Sequence, residues 1–367
     1  MPVLKSSLNQ PKAYSINDGV TQSMLQTFMQ CRYKSSIQLQ GYELAMLTDN
    51  FDFGELLHEC IEAYYSGRLA EPHNIKSVIE LFHKSQLAKG PRPPEALDLA
   101  EGLVEAIWPY YVKFWKNRDE KIIWKGIEIP FDIKWHNFRL RGKLDGLLAF
   151  MKQTPLWLLE NKSKSQIPEG SIEDLLQYDF QTLFYLTVLK HLGYSMGGCV
   201  YNVVRKPQLR MSKKENTSQF ITRVAEDVAE RLDHYFRRYE ISFTRQMLER
   251  FENELEMKLS QFDSCIQEPL MIFHNETACL GRFTCPFVSH CASGTWVGYS
   301  KTRKLFVELE TGGELLQHWK EEENANSASS SSVDSNTSQS TSTTTSEVHT
   351  ETGDGFIPCI QTYPSDI

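Results

Sequence analysis

The chain has 367 residues, of which 41% are apolar, 23% charged and 11% aromatic, enough for one large domain or two medium ones with a substantial core. Its net charge of −8 sits past Lys320, where eight acidic residues stand without a Lys or Arg; the preceding part is near neutral, which neither demands nor forbids nucleic-acid binding. No apolar run is long enough to span a membrane, and the opening MPVLKSSLNQPKAYSIND lacks an apolar leader core, so neither a spanning helix nor a secretory signal is expected, and a cytoplasmic protein with reduced thiols is.

In chain order, SMLQTFMQCRYK (23–34) predicts a short helix with Ser23 as its cap. Phe53 to Tyr65 predicts a second helix, which places Gly54, His58 and Glu62 on one side at four-residue spacing. A third is expected from about Asp98 to Lys116, with a break or kink at Pro109. The period then changes. GIEIPFDIKW from Gly126, FRLRGKLDGLLAF from Phe138 and LWLLENKS from Leu156 read as three consecutive strands, the last buried. A long helix over about Ile172 to Leu192 is stopped by Gly193. GCVYNVVRKP from Gly198 reads as a fourth strand, and Val224 to Leu259 as helix again. The order implies a mixed α/β domain over 1–322. In 327–346, 15 of 20 residues are Ser or Thr, so 323–367 reads as a disordered acidic tail ending in a small apolar island, GFIPCIQTY, which is either a loose end or a docking peptide.

Charge gathers at the strand ends. Asp145 lies in RLRGKLDGLL, and Glu160 and Lys162, two apart on a strand, share a face. Two carboxylates brought together repel and lose solvation unless a cation lies between them, and oxygen ligands suit Mg²⁺ or Mn²⁺. A lysine beside them has the right charge to orient water or offset charge on a phosphate.

An Asp followed by Glu-x-Lys at the ends of adjacent strands resembles the PD-(D/E)XK nuclease superfamily. The flanking residues are similar to its RecB-like branch, which includes the RecB and AddB nuclease domains and CRISPR-associated exonucleases. Gly54, His58 and Glu62 match that branch's upstream G-x-x-x-H-x-x-x-E helix, and Gln181 and Tyr185 its downstream Q-x-x-x-Y helix. The resemblance implies a restriction-endonuclease-like core at about 120–207, a mixed sheet flanked by helices, with helical additions on both sides. It implies that Asp145, Glu160, His58 and the backbone carbonyl of Asn161 bind the metal, that Lys162 positions the water, and that Gln181 and Tyr185 brace the site and meet the DNA backbone. Glu62 would at least orient His58, and Glu128 is either a supporting or an exposed residue. The implied activity is metal-dependent hydrolysis of DNA, as an exonuclease in repair, recombination or phage DNA processing. The alternative is a non-catalytic DNA-binding or scaffold subunit on the same fold. The chain has no P-loop, so a helicase or recombination partner would supply any motor.

Part of this branch ties its ends with a [4Fe–4S] cluster on one early and three late cysteines. Cys31, Cys279, Cys285 and Cys291 resemble that set, with late spacing C-x5-C-x5-C where the branch has C-x2-C-x5-C. Zinc and buried free thiols are the alternatives. Cys60, Cys199 and Cys265 read as packing residues. Arg205–Lys206, Lys213–Lys214, Arg237–Arg238 and Lys162 with Lys164 are candidate phosphate contacts, and Tyr110, Tyr111 and Trp115 read as core before stacking platforms.

Overall fold

A computed structural model describes residues 14–45, 52–89, 94–151, 155–165, 170–268, 271–280 and 284–301. The chain divides into two units, 1–320 and 321–367. The expected Ser/Thr-rich tail, its apolar island and Cys359 lie outside the described residues.

The single helix expected over 23–34 is two. α1 (Gln22–Gln30) is capped by Thr21, whose hydroxyl accepts from the Met24 amide at 3.3 Å, so Ser23 lies inside the helix. Cys31 is extended and breaks the run, and α2 (Arg32–Leu39) starts after it. Strand β1 (Tyr42–Leu44) follows, then α3 (Asp52–Tyr65), as expected from its apolar spacing. α4 (Lys76–Lys89) buries only Phe82 and Gln86, too little apolar periodicity to be legible beforehand. Of the break or kink expected at Pro109, the break does not occur: α5 (Pro94–Asp119) runs through it. Trp108, Tyr111, Val112 and Trp115 are buried around it, and this packing offsets the roughly 3 kcal/mol that an internal proline costs.

β2 (Ile123–Trp135), β3 (Phe138–Ala149) and β4 (Leu156–Lys164) are the three expected strands. The helix expected over 172–192 is broken into α6 (Ile172–Gln177) and α7 (Phe180–His191), because Asp179 starts a new N-terminus by accepting from the Thr182 amide at 3.0 Å and its hydroxyl at 2.9 Å. Gly193, at φ 80, stops α7. β5 (Met196–Arg205) completes the expected strands. The helix expected over 224–259 is α8 (Thr217–Glu230), α9 (Leu232–Tyr235), β6 (Phe236–Ile241) and α10 (Arg245–Gln267). β6 escaped notice because FRRYEI buries only its first and last residues, without the alternation of a half-buried strand. α11 (Val288–Ser293) and β7 (Tyr299–Lys301) end the described chain.

The sheet order is β2-β3-β4-β5-β6. β4 and β5 are parallel, with α6 and α7 as their crossover, and the other neighbours are antiparallel. This is the expected α/β architecture of a mixed sheet flanked by helices. One apolar core joins a sheet face to α1, α7 and α10 around Phe131, Phe184, Tyr201 and Phe262. The other joins the opposite face to α3, α5 and α8 around Phe53, Trp108, Trp115 and Phe236. Truncating one of these buried aromatics to Ala costs about 3–5 kcal/mol. Away from the main sheet β1 pairs antiparallel with β7, Tyr42 opposite Lys301, which ties the two ends of the described chain together. Among the described residues no helix is long and apolar enough to cross a membrane.

Candidate active site

The β3–β4 pairing sets the geometry. Asp145 precedes Gly146, which pairs with Leu159, so Asp145 stands beside the charged end of β4. Its Oδ2 accepts from the Asn161 amide at 2.7 Å. Glu160 is 1% exposed. Its Oε1 accepts from Lys162 Nζ and from Gln181 Nε2, both at 2.8 Å, while its Oε2 is buried without a hydrogen-bond partner among the described residues. Burial, then the Asp145 carboxylate, pushes Glu160 up to about 8 against the pull of Lys162. Burial acts to lower the Lys162 ammonium, but Glu160, Asp179 and Asp145 outweigh it and the net shift is upward.

The helix α3 reaches the strands at two points. A Cβ on Gly54 would stand 2.7 Å from Ser163 Oγ, so the absent side chain is what lets the first turn approach β4. One turn later, His58 Nδ1 lies 3.9 Å from Asp145 Oδ2. Burial lowers the His58 pKa; Asp145 and a backbone hydrogen bond with Asn161 oppose this, and Lys162 adds to it. Glu62 pairs with Arg68 at the surface.

From the other side α7 brings in Gln181, which accepts from Lys162 Nζ at 2.7 Å while donating to Glu160. Tyr185, one turn on, is buried edge-on to Phe131 at 5.8 Å, and Gln181 Nε2 lies 3.5 Å from its hydroxyl. Asp145, Glu160, Lys162, Gln181, Tyr185, His58 and Asn161 therefore meet from four elements, α3, β3, β4 and α7. Glu128, placed by the sequence only as supporting or exposed, is in contact. It sits between the Ile127–Gly146 and Ile129–Leu144 pairs, opposite Asp145, and is ion-paired to Lys143. Burial and then Asp145 push its carboxyl up to about 7. Its φ of 53 is uncommon for a side chain of this size, a local strain of the kind that collects at functional sites. No motif marks Glu128; the signal available was an acidic residue flanked by Ile127 and Ile129.

The four singled-out cysteines also converge. Cys31 is buried at the α1–α2 break; Cys279, Cys285 and Cys291 are half-buried. Burial raises the Cys291 thiol, and Cys285, Cys279 and Cys31 raise it further, so the four share one electrostatic neighbourhood. The Tyr33 amide donates to the Phe273 carbonyl at 3.2 Å and Asn275 Nδ2 to the Gln30 carbonyl at 2.7 Å, which hold the early and late segments together. Cys60, Cys199 and Cys265 are buried.

One expected phosphate contact is corrected, while the core reading of Tyr111 and Trp115 holds. Arg238 is no phosphate contact, because its side chain is 9% exposed and ion-paired to the equally buried Asp119. Tyr111 and Trp115 are fully packed in the core and offer no face to a base, whereas Tyr110 is only partly buried.

A crystal structure of a "putative exonuclease" from Eubacterium rectale aligns at 13% identity over 71% of this chain and 88% of that one, with a TM-score of 0.40. No curated protein matches the chain. The model of the PD-(D/E)XK nuclease superfamily matches residues 20–292, a span that takes in the four-element site, Cys31 and all three late cysteines. Sheet, site and match agree: the chain belongs to the PD-(D/E)XK nuclease superfamily.

Proposed function

We propose that the protein is a metal-dependent deoxyribonuclease of the RecB-like branch, acting as an exonuclease in DNA repair, recombination or phage DNA processing. The observation that carries the reading is Glu160 Oε2, a fully buried carboxylate oxygen with no partner among the described residues, on a group that burial and Asp145 both hold against ionisation. Oxygen donors in that state fit a divalent cation.

Asp145, Glu160, His58 and the backbone carbonyl of Asn161 would hold Mg²⁺ or Mn²⁺. When bound, the cation supplies Lewis-acid stabilisation of charge on the phosphoryl oxygens and makes nearby water more acidic. The chain's own residues do the rest. Lys162 spends two of its three N–H donors on Glu160 and Gln181, which leaves one to orient the attacking water or to meet the phosphate. Gln181 fixes the spacing of Lys162 and Glu160 by bonding both. Tyr185 backs Gln181 and presents its hydroxyl toward the DNA backbone. Asn161 holds Asp145 in place through its amide. Cys31, Cys279, Cys285 and Cys291 would carry a [4Fe–4S] cluster with a structural role; the shared neighbourhood of four soft donors supports this. A helicase or recombination protein would supply any strand-opening motor.

The test is digestion of end-labelled linear and circular DNA, single- and double-stranded, with Mg²⁺, Mn²⁺ or chelator. Metal-dependent loss of linear DNA, reduced by at least about 10³-fold in Asp145→Ala and Lys162→Ala, is the expected result. Sparing of circular DNA marks exonuclease action. If wild type and variants bind DNA alike and none cuts it, the chain is a binding subunit on a nuclease fold.

A further inference from the structure

Behind the site, on the sheet face away from Glu160 and Lys162, three polar side chains stand in one row. Asn161 pairs with Asn202 across β4 and β5, and Asn202 pairs with Arg238 across β5 and β6. Asn202 Nδ2 donates to Asn161 Oδ1 at 2.8 Å and to the Tyr111 hydroxyl at 2.7 Å. Arg238 Nε donates to Asn202 Oδ1 at 3.2 Å. The far end is closed by Asp119, which is ion-paired to Arg238 and accepts from the Tyr65 hydroxyl at 2.7 Å. Arg238 Nη2 also donates to that hydroxyl at 2.6 Å, and its guanidinium lies 4.0 Å over the Trp115 ring.

This row lies within an apolar core, where Asn202 is 0% exposed. Buried ion pairs and amides are weak evidence for stability, since apolar side chains of similar volume commonly do as well. Their bonds fix position, and the two ends of the network attach to β4 and α3, two of the three elements that carry the candidate ligands. One end is Asn161, whose amide holds Asp145. The other is Tyr65, in the last turn of α3, the helix of His58.

We propose that the Asn161–Asn202–Arg238 row is a brace that sets the backbone of Asn161 and the C-terminal end of α3 relative to each other, with Asn202 as its central positioning residue. The proposal rests on the nuclease reading and adds to it residues that touch neither metal nor DNA. Asn202 acts through Asn161. Losing its amide lets the Asn161 peptide turn, which shifts both the carbonyl and the hydrogen bond to Asp145.

The test is Mn²⁺ binding by full-length protein, measured by calorimetry, beside DNA cleavage as a function of Mn²⁺ concentration. Asn202→Ala is expected to weaken Mn²⁺ binding about tenfold, the scale on which groups that orient ligands act. Because its effect runs through Asn161, the double variant Asn161→Ala/Asn202→Ala should bind no more weakly than the weaker single variant. Val228→Ala, in the same core but outside the row, should lower Tm and leave Mn²⁺ affinity unchanged. If Asn202→Ala does not fold, Asn202→Asp keeps the size and the Arg238 bond, cannot donate to Asn161, and carries the same expectation. Wild-type affinity in the folded Asn202 variant, or losses that multiply in the double variant, would overturn the brace alone. A wild-type protein that neither binds Mn²⁺ nor cuts DNA would overturn the nuclease reading and the brace with it.

Discussion

Glu160 is the residue on which stability without metal and the proposed metal binding pull in opposite directions. Its carboxyl is raised to about 8 from an ordinary 4.5. Between those values the folded protein holds a proton that the unfolded chain has released, so this group's contribution to stability is full below pH 4.5 and is lost as pH rises through about 8. Glu128, raised to about 7, adds a loss of the same sign lower in the range. In chelator, Tm should therefore fall across that window, and Glu160→Gln should remove the upper part of the fall. An unchanged slope in Glu160→Gln would count against the buried, unpartnered carboxyl. Added Mn²⁺ should restore Tm most at the alkaline end, where the carboxylate is already charged. At this scale the sequence was legible where spacing carried the chemistry. Asp145, Glu160 and Lys162 announce themselves by charge at strand ends, whereas Gln181 and Tyr185 stand out only through the resemblance to the family's downstream helix. Asn202 and Asp119 did not. An asparagine between apolar strand residues and an aspartate at a helix end have many ordinary explanations, and only the register across three strands joins them.

The seam between α3 and β4 is set by the smallest side chain in it. Gly54→Ala puts a methyl 2.7 Å from Ser163 Oγ, and overpacking of that kind costs about 1–3 kcal/mol. The strain falls between the helix of His58 and the strand of Lys162, so cleavage should drop by about tenfold or more, as small misplacements at a reacting centre do. Ser163 Cβ is 3.8 Å from the same point, so Gly54→Ala/Ser163→Ala should recover most of the loss, as read by cleavage rate at saturating Mn²⁺. Failure of the second change to rescue the first would place the role of Gly54 elsewhere. Element type was legible wherever the period was long and clean, in α3 and in β2 to β4. It was lost where a single polar residue redirects the chain. Asp179 cut one expected helix in two, and Cys31 another, because a side chain that caps a helix start is indistinguishable by composition from one inside it. β6 was lost within an expected helix because six residues with two buried ends fit either period.

For the whole molecule, the proposed cluster on the thiols would serve the same end as the β1–β7 ladder. Anaerobically purified protein should be brown, with broad visible absorbance that Cys31→Ala abolishes, and that variant should lose at least about 5 °C in Tm. Colourless protein with stoichiometric zinc would replace the cluster by a zinc site. The family resemblance marked these four cysteines, but nothing marked the ladder, whose three-residue strands are too short to carry a period. That ladder orders events during synthesis. The last of the candidate catalytic residues, Tyr185, leaves the ribosome long before Tyr299, roughly 6–20 s earlier at about 5–20 residues per second. Throughout that interval the nascent chain holds the entire carboxylate set while its first strand has no partner. Pairings so distant along the chain form late and slowly. A product ending before residue 299 would carry the candidate carboxylates without the β1–β7 pairing, so the ladder can close only after the whole candidate site has been made.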